Sequence, residues 1–153
     1  MFNLSAPFLI DFFTEPLKSV LPYADIVIGN EHEGAAIGKK LFDTEDLKEV
    51  ATKIGQLEKT NSKRERIVII TNGDKPVIVY QNGQITEYET NPLDSKDIVD
   101  SNGAGDCFAG GFLAGLVNGK EVPDCVKAGN YCASEILKTG GIVFNRGPST
   151  FQF

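Results

Sequence analysis

The sequence predicts an α/β fold, read as half of a three-layer α/β/α arrangement with a mostly parallel sheet and an inserted β-hairpin. Three observations carry this. Two β-branched runs, Ile26-Val27-Ile28 and Ile67-Val68-Ile69-Ile70, show no polar alternation, the pattern of strands buried on both faces. Segments with helical periodicity stand between and after them. Gln81-Asn82-Gly83-Gln84 separates two β-rich runs, Pro76 to Tyr80 and Ile85 to Glu89, and Asn-Gly in that setting signals a hairpin.

At 153 residues, 41% hydrophobic and 24% charged, the chain is one domain's worth of ordinary globular sequence and can bury a real core. Its net charge of −6 argues against nucleic acid or an anionic membrane as partner, though a local basic site can still take a nucleotide. No run reaches transmembrane length, and Met1-Phe2-Asn3-Leu4 lacks the basic and apolar regions of a signal peptide. Cys107, Cys125 and Cys132 have no metal-ligand spacing. They suggest reduced thiols in a cytoplasmic protein, with Cys125 and Cys132 on one helix face.

In chain order, Ser5 is expected to cap a short helix from Pro7, with Phe8, Leu9, Phe12 and Phe13 on one side. Pro16 and Pro22 divide the next stretch into a second short helix and a turn. After the strand at 26–28, a helix runs from Asn30 to about Leu41. Asn30 and Glu33 have the spacing of a capping box. Asp43 or Thr44 is expected to cap an amphipathic helix to about Glu58, burying Leu47, Val50, Ala51, Ile54 and Leu57. Asn61 to Arg66 reads as a solvated polar loop, and His32 as an exposed helix residue. The strand at 67–70 ends in Thr71-Asn72-Gly73, which alone reads as a turn.

Ile98-Val99 is β-prone, and Asp100-Ser101-Asn102-Gly103-Ala104-Gly105-Asp106-Cys107-Phe108 comes directly after it and opens an apolar helix to Val117. Strand, glycine-rich turn and helix make an anion site, because the first helical amides lack intrahelical acceptors and the dipole adds positive charge. Asp106 has two readings: a helix cap or dipole complement, or a base among phosphate-binding amides. Gly110, Gly111 and Gly115 each cost about 1 kcal/mol inside a helix, which close packing of that helix on the sheet would explain. Pro123 opens a last helix carrying Val126, Tyr131, Ala133, Ile136 and Leu137, which stops at Gly140-Gly141.

The Asp100–Phe108 stretch resembles the D-[ST]-x-G-A-G-D-x-F signature of ribokinase-like carbohydrate and nucleoside kinases. Its chance occurrence in a chain this short is on the order of one in 100,000, so the match outweighs the capping reading of Asp106. Asn102 and the opening Met1-Phe2-Asn3-Leu4-Ser5-Ala6-Pro7-Phe8 are similar to the adenosine-phosphorylating branch. So are Asn30-Glu31-His32-Glu33 and Asn61-Ser62-Lys63-Arg64, in the expected order. The resemblance covers only the C-terminal half of such a kinase.

It implies that Asp106 is the catalytic base and that Gly103, Ala104 and Gly105 supply the anion hole for a transferring phosphoryl group. Asn102 would lie beside the acceptor. Asn30, Thr71, Gly73, Asn130 and Phe144 would contact ATP, and Glu33 would orient Mg²⁺ and its waters. Asn130 stands where many adenosine-phosphorylating members have histidine, a departure that bears on the base contact. The implied partners are ATP and adenosine, in a monomeric enzyme of the cytoplasm and also the nucleus. The first methionine is internal in the family, so residues 1–153 are expected to be the C-terminal part of one kinase domain without its N-terminal half and lid. Alone, they are expected to be inactive and prone to self-association. A sugar kinase of the same family and a non-catalytic nucleotide-binding fragment remain as alternatives.

Overall fold

The two β-branched runs form the centre of a five-stranded sheet. The computed structural model describes residues 1–141, 151 and 152. Its internal contacts divide the chain into two units, Met1–Glu89 and Thr90–Phe153. In the first, β1 (Phe2–Asn3), β2 (Ile26–Asn30), β3 (Ile67–Asn72), β4 (Lys75–Gln81) and β5 (Gln84–Tyr88) lie side by side in sequence order. The β1–β2 and β2–β3 pairs are parallel, and β4 and β5 continue the sheet antiparallel. The Asn82-Gly83 turn has both residues at positive φ, 52° and 76°, which matches the strand twist of a two-residue hairpin. A second reversal joins β3 to β4 through Gly73-Asp74, where Thr71-Asn72-Gly73 reads as a turn.

Helices α1 (Pro7–Phe12), α2 (Thr14–Val20), α3 (Glu31–Phe42) and α4 (Leu47–Gln56) belong to this unit. Val27, Val68, Ile70 and Ile78 of the sheet meet Ile10, Ile37, Val50, Ala51 and Ile54 of the helices in one core. Ile28, Ile69 and Val79, the alternate positions in register, are buried too. Uninterrupted apolar runs are what such strands require.

Three local expectations are corrected. Ser5 does not cap α1: it sits at φ 66°, its hydroxyl donates to the Asn3 carbonyl, and the cap position is Ala6. The expected apolar face is also wrong, since Ile10 is buried while Phe8, Phe12 and Phe13 are exposed. Six residues make less than two turns, too few for periodicity to define a face. Helix α4 starts later than expected. Its cap is Asp46, which accepts the Glu49 amide at 2.8 Å. Asp43 instead closes α3 in the left-handed conformation, and the Thr44 hydroxyl donates to the Glu49 carboxylate.

The basic run before β3 is not wholly solvated. Arg66 is only 1% exposed, and its five N–H groups reach five backbone carbonyls. Nε donates to Ala24 at 3.1 Å, Nη1 to Ile54 and Leu57 at 2.7 and 2.8 Å, and Nη2 to Leu21 and Glu58 at 2.7 and 3.1 Å. Three of these carbonyls lie at the C-terminal end of α4, and two in and after the short 3₁₀ turn Leu21–Tyr23. A helix end exposes carbonyls that need donors and carries partial negative charge, so a cation satisfies both demands. Burial lowers the guanidinium pKa, and nearby Asp25 opposes that shift. Arginine nonetheless stays charged.

The second unit is built on α5 (Ala104–Val117) and α6 (Val122–Leu137). Phe108 and Phe112 stack at 6.5 Å between centroids. Gly111 and Gly115 are explained by a neighbouring helix. A Cβ on Gly111 would stand 2.5 Å from the Ala128 carbonyl oxygen, and one on Gly115 2.9 Å from Cys125 Cα, both on α6. Gly110 faces open space, so packing does not require it. Ile98-Val99 forms no strand: the Val99 amide donates to Leu137 at the end of α6 and not to a sheet neighbour.

Arg66→Lys leaves at most three donors for five carbonyls. Urea unfolding should show a loss of about 2–4 kcal/mol, the scale of unsatisfied buried polar groups. A change within about 0.5 kcal/mol, as at an ordinary surface site, would contradict the capping role.

Candidate active site

The glycine-rich stretch is a pinned loop followed at once by a helix. Asp100 pins it. One carboxylate oxygen accepts the Asn102 amide at 2.9 Å and the other the Gly141 amide at 3.2 Å. Gly103 is the N-cap of α5 at φ 81°, a left-handed conformation that glycine enters without strain. The helix therefore begins earlier than the apolar pattern indicates, at Ala104. Cys107 is the residue whose amide bonds back to Gly103, at 2.9 Å; the amides before it lie outside the intrahelical ladder, that of Ala104 making a long turn bond of 3.4 Å to the Ser101 carbonyl. A Cβ on Gly105 would meet nothing within 4 Å. Amides with positive helix dipole behind them, and open space at Gly105, suit an incoming anion.

Asp106 is exposed in the first turn of α5. It is not the N-cap, because Gly103 occupies that position, so the capping reading fails in its simple form. A carboxylate in the first turn still complements the dipole. Asn102, also exposed, stands just before the cap.

In the first unit, the register of β2 on β3 sets Asn30 beside Thr71, so both motifs lie at the C-terminal ends of adjacent parallel strands. This is the end at which open α/β sheets bind ligands. Asn30 caps α3 through a complete capping box. Its side-chain oxygen accepts the Glu33 amide at 2.9 Å, while the Glu33 carboxylate accepts the Asn30 amide at 2.9 Å and its Nδ2 at 3.0 Å. Glu33 is buried. The Thr71 hydroxyl donates to the Gly29 carbonyl at 3.4 Å, and Gly73 forms the β3–β4 turn at φ 61°. The turn reading of Thr71-Asn72-Gly73 is thus realised locally. His32 is exposed, as expected.

Asn130 is half-buried on α6, next to Gly129, whose missing Cβ admits the Phe108 ring. Phe144 lies outside the described residues. Sequence reasoning missed two supporting residues. Asp100 was legible in principle, since an Asp two residues before a turn amide is a common brace. Gly29 was not: a Cβ there would stand 2.8 Å from Leu4 and 2.9 Å from Glu33 Oε2, a tertiary fact.

Among the described residues no group of three or more acidic, histidine or cysteine side chains could hold a metal, and no helix is long and apolar enough to cross a membrane. Glu33 has both oxygens engaged in the capping box. That donor set makes no protein cage for Mg²⁺. It fits only a cation that keeps its waters and takes its other ligands from phosphate.

Residues 1–146 match the family model described as pfkB family carbohydrate kinase. The chain is 44% identical to an adenosine kinase of Dictyostelium discoideum over its whole length, which is 45% of that relative. Among solved structures, the adenosine kinase of Anopheles gambiae in complex with P1,P4-di(adenosine-5) tetraphosphate superposes with a TM-score of 0.91 at 43% identity, over 97% of this chain and 45% of that one. The adenosine kinase of Schistosoma mansoni in complex with 2-fluoroadenosine does so at 0.89 and 35% identity, over 94% and 43%. The chain thus spans somewhat less than half the length of the relatives it matches.

Glu33→Gln offers one acceptor where the carboxylate offers two, and sets an amide donor against an Asn30 donor. Asn30 cannot flip to relieve this without losing the Glu33 amide bond. Thermal unfolding should show a loss of about 1–2 kcal/mol. Unchanged stability would mean that the capping box does not hold this end of α3.

Proposed function

The chain belongs to the pfkB family of carbohydrate kinases and carries part of its ribokinase-like α/β fold, and from that premise we propose that it is the phosphoryl-transfer part of an ATP-dependent adenosine 5′-kinase. The single observation that carries the proposal is the loop itself: Gly103 capping α5, with Asp106 exposed in the first turn among amides outside the helical ladder. The product would be AMP, which gives the whole protein a purine-salvage role in the cytoplasm or nucleus. The two units are proposed as parts of one kinase domain.

Gly103, Ala104 and Gly105 present their amides to the transferring γ-phosphoryl, whose charge is spread over its three equatorial oxygens in the transition state. Asp106 accepts the proton of the ribose 5′-hydroxyl. Its position matters more than its basicity, because loose phosphoryl transition states need little prior deprotonation of the nucleophile. Asn102 is assigned to the acceptor side. Asn30, Thr71, Gly73, Asn130 and Phe144 are assigned to the nucleotide. Glu33, with Asn30, is assigned to the hydration shell of a nucleotide-borne Mg²⁺, which when bound supplies charge neutralisation at the phosphates.

The pairing of a carboxylate with an anion-binding turn favours transfer over storage of a nucleotide. For simple anion binding the carboxylate would be a liability, since it repels phosphate. In the full-length protein carrying this sequence, Asp106→Asn should lower kcat by about a hundredfold or more, the scale of a general base. ATP affinity, measured by titration calorimetry, should not fall, because the amides remain and a charge that repels phosphate is lost. A variant keeping most of its turnover would leave Asp106 with only its dipole role.

A further inference from the structure

The seam between α5 and α6 brings two thiols to one place. Along α5, Cys107, Gly111 and Gly115 recur every four residues and share a face. On α6, Cys125, Ala128, Gly129 and Cys132 face back. The missing Cβ of Gly115 lies against Cys125, that of Gly111 against Ala128 and Cys132 Sγ, and that of Gly129 against Phe108. Contacts at 115 with 125 and at 111 with 128 and 132 define an antiparallel seam. Continuing it one turn back along α5 brings Cys107 to Cys132. The glycines hold the two backbones close, since a Cβ added at Gly111 would stand 2.5 Å from the Ala128 oxygen. Ordinary helix pairs stand about 8–10 Å apart, too far for the short Cα separations that a disulfide requires.

We infer that Cys107 and Cys132 are a modification site: an intrachain disulfide that staples the first turn of α5 to α6. Both cysteines are half-buried and reduced, whereas Cys125 is fully buried and its thiol donates to the Lys120 carbonyl at 3.4 Å. Burial pushes the Cys107 and Cys132 thiols up, and the proximity of Cys132 adds to the shift at Cys107. The pair therefore rests as thiols until a small-molecule disulfide reaches it. One thiolate attacks that disulfide and releases one small thiol, leaving a mixed disulfide. The second thiolate then displaces the other small thiol. Two protein S–H bonds are exchanged for one S–S bond, the protein sulfurs lose two electrons, and the oxidant is reduced to two thiols.

Incubation of the purified protein with glutathione disulfide, followed by thiol counting and non-reducing peptide mapping, tests this. The thiols of Cys107 and Cys132 should disappear while that of Cys125 remains, a cross-linked Cys107–Cys132 peptide should appear, and dithiothreitol should reverse both changes. In Cys132→Ser, or in Cys132→Ala if serine disturbs folding by circular dichroism, Cys107 should stop at a glutathione adduct. Separate adducts on both cysteines, a bridge to Cys125, a bridge between chains, or no reaction would each overturn the inference.

Discussion

Arg66 is the point on which the first unit depends. A guanidinium with its five donors spent on five carbonyls is a buried cation without a carboxylate in its hydrogen-bond shell. Burying a charge is costly unless every donor is met, and here the partners are peptide dipoles at chain ends that would otherwise be orphaned. The arrangement fixes where α4 stops and where the Leu21–Tyr23 turn lies. It also fixes where β3 starts, because Ile67 is the next residue. From there the β2–β3 register runs without a slip to Asn30 beside Thr71. A structural cation at one end of the strand thus sets the position of the candidate nucleotide contacts at the other.

The second unit solves a different problem, that of holding a glycine-rich loop still. Glycine gives the cap its left-handed turn but brings conformational freedom that must be removed. Asp100 removes part of it through the Asn102 and Gly141 amides, and the Val99 amide is fastened to Leu137. Leu137 is the last residue of α6 and Gly141 follows it in the turn beyond. The close glycine seam then holds α5 on α6. Preorganised amides are worth more to a reacting phosphoryl group than mobile ones, since no reorganisation is left for the moment of transfer.

Much of this was legible in the sequence, and the failures have physical causes. The strands at 26–28 and 67–70, the Asn82-Gly83 hairpin and the Asn30–Glu33 capping box are encoded locally, by β-branching, by tolerance of positive φ and by side-chain reach. Ser5, the exposed phenylalanines of α1 and the late start of α4 misled because several residues in each segment could serve, and packing chose among them. Ile98-Val99 has the propensity of a strand but, among the described residues, no neighbour in a ladder. Arg66 was hidden because its partners are distant backbone atoms with no residue signature. The site's motifs were readable as residues and the Asp100 brace was legible in its spacing, while the close packing around Gly29 is a tertiary fact with no local signature.

The central claim is that this loop serves transfer from ATP to a nucleoside 5′-hydroxyl. The most direct measurement supplies the full-length protein with ATP and, in separate reactions, adenosine or ribose, and identifies the phosphorylated product by phosphorus NMR. The account predicts 5′-AMP from adenosine, with ribose left essentially untouched. Ribose phosphate as the main product, or ATP bound with neither acceptor phosphorylated, would contradict it.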